Sequence, residues 1–313
     1  MMEFFKLTHI DFMRYQWPAM VLSTVVNLIG IGSFFIQGLN FGLDFTGGTV
    51  IEVGYKGPVQ LPDIRAALAK GGFNEATVQH FGSSRDILIR LAPKDQSEST
   101  AAVSDRVFQA LSADAKGQVD LRRAEFVGPQ VGAELAESGG LAVLYSLIGI
   151  LIYVWLRFEW RFSVGAIIAT IHDTIVTVAV FSVFRIEFDL TVLAAVLAVI
   201  GYSLNDTVVI FDRIRENFRK IRKGSVIDVV NQSINETMSR TIITSGTTLI
   251  VVLALFLFGG QVIHGFALAM LVGIAVGTYS SIYVASSAAV MLGISRADLM
   301  PAKKEGARLD SMP

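Results

Sequence analysis

Carboxylates inside stretches otherwise free of charge are the groups in this chain most able to do chemistry. Asp206 lies in an apolar run that starts near Leu190 and ends among Asp212, Arg213, Arg215 and Glu216. Asp173, preceded by His172, lies in another such run. A carboxylate in hydrocarbon costs a few kcal/mol or more, so such residues face a bundle interior or a water path, and they commonly carry protons or ions. If both runs are helices rising 1.5 Å per residue, Asp173 falls near mid-bilayer and Asp206 about 10 Å from its charged end. Tyr202 and Ser203 share a face with Asp206, with Asn205 beside it, giving a polar stripe on an aliphatic helix. His172 and Asp173 are neighbours, so they point about 100° apart and are not expected to face one seam together. The competing reading of each acid is a structural residue, neutral or bonded to a hydroxyl on a neighbouring helix.

Composition narrows the classes. Of 313 residues, 52% are hydrophobic and 17% are charged, and the mean hydropathy is +0.56. That is too apolar for an ordinary soluble domain and indicates a polytopic membrane protein. A formal charge of −1 offers nothing to nucleic acid. The absence of cysteine removes disulfides, thiolate nucleophiles and cysteine-type zinc sites. His9, His80, His172 and His264 are scattered without metal-ligand spacing. No Gly-x-x-x-x-Gly-Lys-Ser/Thr phosphate loop or supported Ser/His/Asp arrangement occurs, so neither catalysis, a cofactor nor a metal is expected, and an ion gradient is the natural energy source.

The elements that must position the acids follow from the hydropathy pattern. Residues 1–39 contain a first span, with Trp17 at its edge and Lys6 and Arg14 before it. The run is too long for a signal-peptide core and no Ala-x-Ala site follows. Residues 40–137 are polar, and their alternation predicts strands at 49–56, 76–81, 86–91 and 119–127. Helical patterns occupy 61–70 and 97–113, with a turn at Gly82-Ser83-Ser84. The order β-α-β-β-α-β predicts a ferredoxin-like α+β domain. Residues 138–295 hold five further spans, with a polar loop at 212–240 and a turn at Gly259-Gly260-Gln261, and a polar tail covers 296–313. Gly273, Gly277 and Ser281 form a small-residue seam for close helix packing.

Lys and Arg crowd the N-terminal segment, the 157–161 loop, the 212–240 loop and the tail, which places both termini in the cytoplasm. Span parity then puts the 40–137 domain outside. The cations between Arg213 and Lys223 read either as topology anchors or as a lipid or partner site.

Two stretches carry a resemblance. Residues 41–49 read FGLDFTGGT and residues 201–217 read GYSLNDTVVIFDRIREN. With the six-span layout they resemble the SecF branch of the SecD/SecF family of the bacterial Sec protein-export machinery, relatives of the resistance-nodulation-division transporters. The resemblance implies an inner-membrane protein that acts with SecD beside the SecYEG channel and draws on the proton gradient to help export preproteins. It implies that Asp206 lies on the proton path, with Asn205 and Asp173 as further candidates, and that protons are the coupling ion. It also implies that Asp44, Gly47 and Gly48 form a conformationally important link, and that Asp212 and Arg213 close the fourth helix at its cytoplasmic end. A small-molecule or lipid exporter of the same superfamily, and a non-transporting scaffold, are the alternatives.

Overall fold

Six long helical stretches each hold a window rich in apolar residues, and such a helix needs a membrane or other helices around it. The computed structural model describes residues 10–91, 100–114, 119–221 and 223–295. Among these, six helical segments are long and apolar enough to cross a membrane: Phe12–Gln37, Gln130–Arg157, Trp160–Val183, Leu190–Lys220, Val226–Phe258 and His264–Met291. A four-stranded antiparallel sheet with two helices is inserted between the first and second.

The first helix, α1 (Gln16–Gln37), is followed by a two-residue strand β1 (Asn40–Phe41) and a single turn α2 (Leu43–Thr46). The sheet unit then runs β2 (Gly48–Tyr55), α3 (Leu61–Lys70), β3 (Thr77–Phe81), β4 (Ser83–Leu91), α4 (Thr100–Asp114) and β5 (Val119–Val127). The strand order is β3-β4-β2-β5. Alternation explains it: Ile51 and Val53 of β2, Ile87 and Ile89 of β4 and Val78 of β3 point to one face, where they pack with Ile64, Leu68, Val107 and Leu111 of the helices. The turn between β3 and β4 is tighter than expected, since Ser83 already belongs to the strand. The start of α4 expected at 97 lies outside the described residues, as does the tail from 296.

Three boundaries differ from the sequence expectation. The sheet unit begins at Gly48, because Asn40 and Phe41 pair instead, in parallel, with Glu187 and Phe188 of β6 (Glu187–Phe188) in the bundle. The second long helix, α5, starts at Pro129 and runs to Arg157, so 129–137 belongs to a helix rather than to the domain. Proline at the first helical position, after an extended Gly128, favours that start. The polar segment 212–240 is mostly helical. Helix α7 (Leu190–Lys220) continues past the apolar run, and α8 (Val226–Phe258) starts soon after it. Charges there stabilise helix: Glu216 accepts from Arg213 at 2.6 Å and from Lys220 at 2.5 Å, at three- and four-residue spacing. Ser225 and Asp228 form a reciprocal capping box at the start of α8.

The remaining membrane elements are α6 (Trp160–Val183), α9 (His264–Ser280), a π-helical stretch Ser281–Ala285 and α10 (Ser286–Met291). The small-residue seam packs α9 on α7: a Cβ at Gly273 would lie 2.2 Å from Val199, and one at Gly277 would lie 3.0 Å from the Ser203 Cβ. One apolar cluster, around Phe162, Phe211, Ile214 and Ile234, fills the bundle end near the N-terminal segment. Another, around Phe181, Val196, Val199 and Ile274, fills the end near the sheet unit.

Candidate functional site

Between these two apolar clusters, helices α6, α7, α8 and α9 bring hydroxyls to two carboxylates. Asp173 on α6 is 1% exposed and Asp206 on α7 is 2% exposed. Asp173 Oδ2 accepts from Ser280 Oγ of α9 at 2.6 Å and from Ser203 Oγ of α7 by a short hydrogen bond. Its other oxygen, Oδ1, lies 2.8 Å from Nδ1 of His172. The two neighbours were expected to diverge; instead the imidazole folds back onto the adjacent carboxylate, and both side chains are buried. Asp206 Oδ2 accepts from Ser245 Oγ of α8 at 3.1 Å, and Ser245 in turn accepts from Thr278 Oγ1 of α9 at 3.0 Å.

The acids are separate centres linked by shared helices. Ser203 and Asp206 sit three residues apart on α7, and Thr278 and Ser280 two apart on α9, so each of these helices touches both. Among the described residues neither carboxylate makes an ion pair with lysine or arginine. Asp206 is met by a hydroxyl and Asp173 by two hydroxyls and the His172 imidazole, and hydroxyls hydrogen-bond to a carboxylate or to a carboxylic acid. Such a site can change protonation without losing its partners. Of the polar stripe expected around Asp206, Ser203 turns to Asp173, while Tyr202 donates to Thr248 of α8 at 3.3 Å. Asn205 does not join the cluster; it is exposed on another face of α7.

Sequence reasoning missed Ser245, Thr278 and Ser280, which are unremarkable in composition. In the structure a π turn follows Ser280, and such turns recur at functional sites.

The link expected at Asp44, Gly47 and Gly48 lies where the sheet unit meets the bundle. Asp44 Oδ2 accepts from the backbone N–H of Leu190, the first residue of α7, at 3.0 Å. It thereby caps the helix that carries Asp206, alongside Asp189, which accepts from Val192 at 2.8 Å. Gly47 ends α2 with φ 67°. Gly48 has φ 121°, and a Cβ there would lie 2.4 Å from the Leu91 carbonyl oxygen. Helix α5 crosses the same point through Gly132, whose Cβ would lie 2.9 Å from the Gly47 nitrogen. Arg90 of the sheet pairs with Glu187 of β6. At the other bundle end, Asp212 takes both its hydrogen bonds from Arg157, at 2.8 and 2.6 Å. Arg213 bridges Glu216 and Glu236, each at 2.6 Å, tying α7 to α8.

The family described as protein export membrane protein SecD/SecF, C-terminal, matches residues 107–295, and the SecD/SecF GG motif matches residues 32–59. The protein translocase subunit SecF of Vibrio alginolyticus is 55% identical over 306 residues, covering 97% of both chains. The subunit of the same name from Escherichia coli O157:H7 is 47% identical over 299 residues, covering 95% of this chain and 93% of that one. The crystal structure of SecDF, a translocon-associated membrane protein from Thermus thermophilus, superposes with a TM-score of 0.78 at 37% identity. It covers 89% of this chain, which spans only 38% of that longer SecDF chain. On the family match and these identities, the chain belongs to the SecD/SecF family of protein-export membrane proteins.

Proposed function

We propose that this chain is a SecF-type translocase subunit that works with a SecD partner beside the SecYEG channel and uses a proton gradient to promote preprotein export. The observation that carries the reading is the pair of buried carboxylates, each held by hydroxyls, with the His172 imidazole on Asp173 and, among the described residues, no lysine or arginine ion pair to either. Asp206 takes up and releases the proton, Asp173 is the second station, and Ser203 with the Thr278–Ser280 segment joins them. The exposed Asn205 supports a partner helix: an amide facing hydrocarbon is costly, and polar side chains of this kind bind across helix interfaces. Asn205 therefore serves assembly with SecD more than proton passage. Both termini lie in the cytoplasm and the protein sits in the inner membrane, supported by cations concentrated at the bundle end away from the sheet.

The sheet unit is a ferredoxin-like periplasmic domain, a reading supported by its element order and by the strand order β3-β4-β2-β5. Coupling runs through the α7 cap. Protonation at Asp206 shifts α7, Asp44 at its first turn follows, and the sheet unit rotates about the joint of Gly47 and Gly132. Gly47 supplies the free dihedral, while Gly48 is held in the sheet.

The test is export into inverted membrane vesicles with and without a proton gradient. Asp206→Asn, close in size to the neutral acid, is expected to assemble normally and to lose the gradient-dependent part of export. Wild-type gradient dependence in that variant would refute the role of Asp206.

A further inference from the structure

The cations of α7 are not used by the proton centre, and they are not spread evenly. Arg157 from the end of α5, with Asp212, Arg215, Glu216, Arg219 and Lys220 from α7, lines a cleft of about 510 Å³ at the bundle end near the N-terminal segment. That volume is within the range of about 300–1,000 Å³ seen for small-ligand sites. Four cations face two carboxylates, so the lining is net positive. The two guanidiniums at the α5 end are fixed in place. Arg157 is held by Asp212, and Arg215 by Glu159 at 3.2 Å, and both lie over the Phe158 ring, at 5.0 and 5.4 Å from its centroid. Lys220 is held by Glu216. Arg219 has no ion-pair partner among the described residues and is exposed.

A second feature adjoins the cleft. The last turns of α5 before Arg157 turn apolar side chains outward: Ile152 is 53% exposed, Trp155 56% and Leu156 82%. Trp160 is also exposed just beyond, with the Arg161 guanidinium over its ring. Tryptophans at such a position mark the headgroup level of a bilayer. Fixed forks of N–H donors suit phosphate oxygens, and basic pockets between membrane helices hold anionic headgroups.

We propose that this cleft holds the phosphodiester headgroup of an anionic phospholipid, with its acyl chains lying along the exposed face of α5. The apolar face is what selects a lipid over a free phosphate or an acidic protein segment, since neither of those has a use for it. The site is independent of the proton reading above, and neither Asp206 nor Asp173 contributes to it.

The chain holds three tryptophans, Trp17, Trp155 and Trp160, so Trp17→Phe leaves two reporters at the cleft. The full chain carrying Trp17→Phe is reconstituted with brominated phosphatidylglycerol or brominated phosphatidylcholine, and quenching gives their relative affinity. The expected result is a preference for the anionic lipid of roughly 25-fold, from the two net positive charges of the lining. It should fall about fivefold for each cation lost in Arg219→Gln and Arg157→Gln, from roughly 1 kcal/mol per basic residue. Lys223→Gln, outside the cleft lining, should leave the preference in place, as should millimolar inorganic phosphate or a soluble glutamate-rich peptide. Equal quenching by the two lipids would overturn the proposal. So would a preference untouched by Arg219→Gln, one lost equally in Lys223→Gln, or one abolished by phosphate or the peptide. Arg219 is exposed and has no ion-pair partner among the described residues, so its variant tests the site without threatening the fold.

Discussion

The sheet unit and the helical bundle bury their interiors in opposite ways. In the sheet unit, Ile51, Ile87, Ile89, Val107 and Leu111 close a core that holds, among the described residues, buried hydroxyls such as Ser104 but no buried carboxylate. In the bundle, apolar clusters occupy the two ends, and the middle holds Asp173, Asp206, Ser203, Ser245 and Ser280. A mainly aliphatic core is rigid because every displaced methyl loses contacts. A centre of hydroxyls and carboxylates exchanges hydrogen bonds at little net cost, since each bond broken is replaced by a similar one. On the proposed function, stability belongs to one region and proton-linked change to the other, with the Asp44 cap between them.

That division can be broken most forcefully in the sheet. Ile89→Ala is expected to destabilise the unit by about 2–5 kcal/mol, because the methyls it removes are fully buried. Urea titration of protease resistance in the full chain would measure it, and the bundle's helical signal should persist. Loss of both together would show that the two regions fold as one. Smaller is Asp44→Ala, which removes a cap of about 0.5–2 kcal/mol from α7. Hydrogen exchange at the amides of 190–192 should accelerate and export should fall, with the sheet's melting unchanged. Smaller again is Ser203→Ala, which leaves Ser280 on Asp173 and should cost about 1 kcal/mol or less. Its signature is a displaced pH profile of gradient-driven export at full assembly; an unaltered profile would remove Ser203 from the path.

Much of this was legible in the sequence, and the reasons differ by element. Helix α3 and strand β5 lie where periodicity and flanking turns put them, since alternation and a Gly71-Gly72 stop are local signals. Asp206 and Asp173 stand out because an acid in an apolar run is costly wherever the helices pack. Their partners were hidden. Ser245, Thr278 and Ser280 are ordinary membrane-helix residues, and only the packing of α6 through α9 turns them toward an acid. The 212–240 segment misled because a run of charges reads as a loop, whereas its spacing pairs Arg213, Glu216 and Lys220 along one helix face. Asp44 was visible as part of a motif, but its target, the first amide of α7, is distant in sequence and set by the β1–β6 pairing.

The central claim is that the Asp206 carboxyl changes protonation as the subunit works. Infrared difference spectroscopy of the reconstituted, partner-bound protein, recorded as a proton gradient is imposed and collapsed, reads this directly. A carboxylic-acid carbonyl band should appear and vanish with the gradient and be missing in Asp206→Asn, while Asp173→Asn shifts it without abolishing it. A difference spectrum identical in wild type and Asp206→Asn would contradict the account.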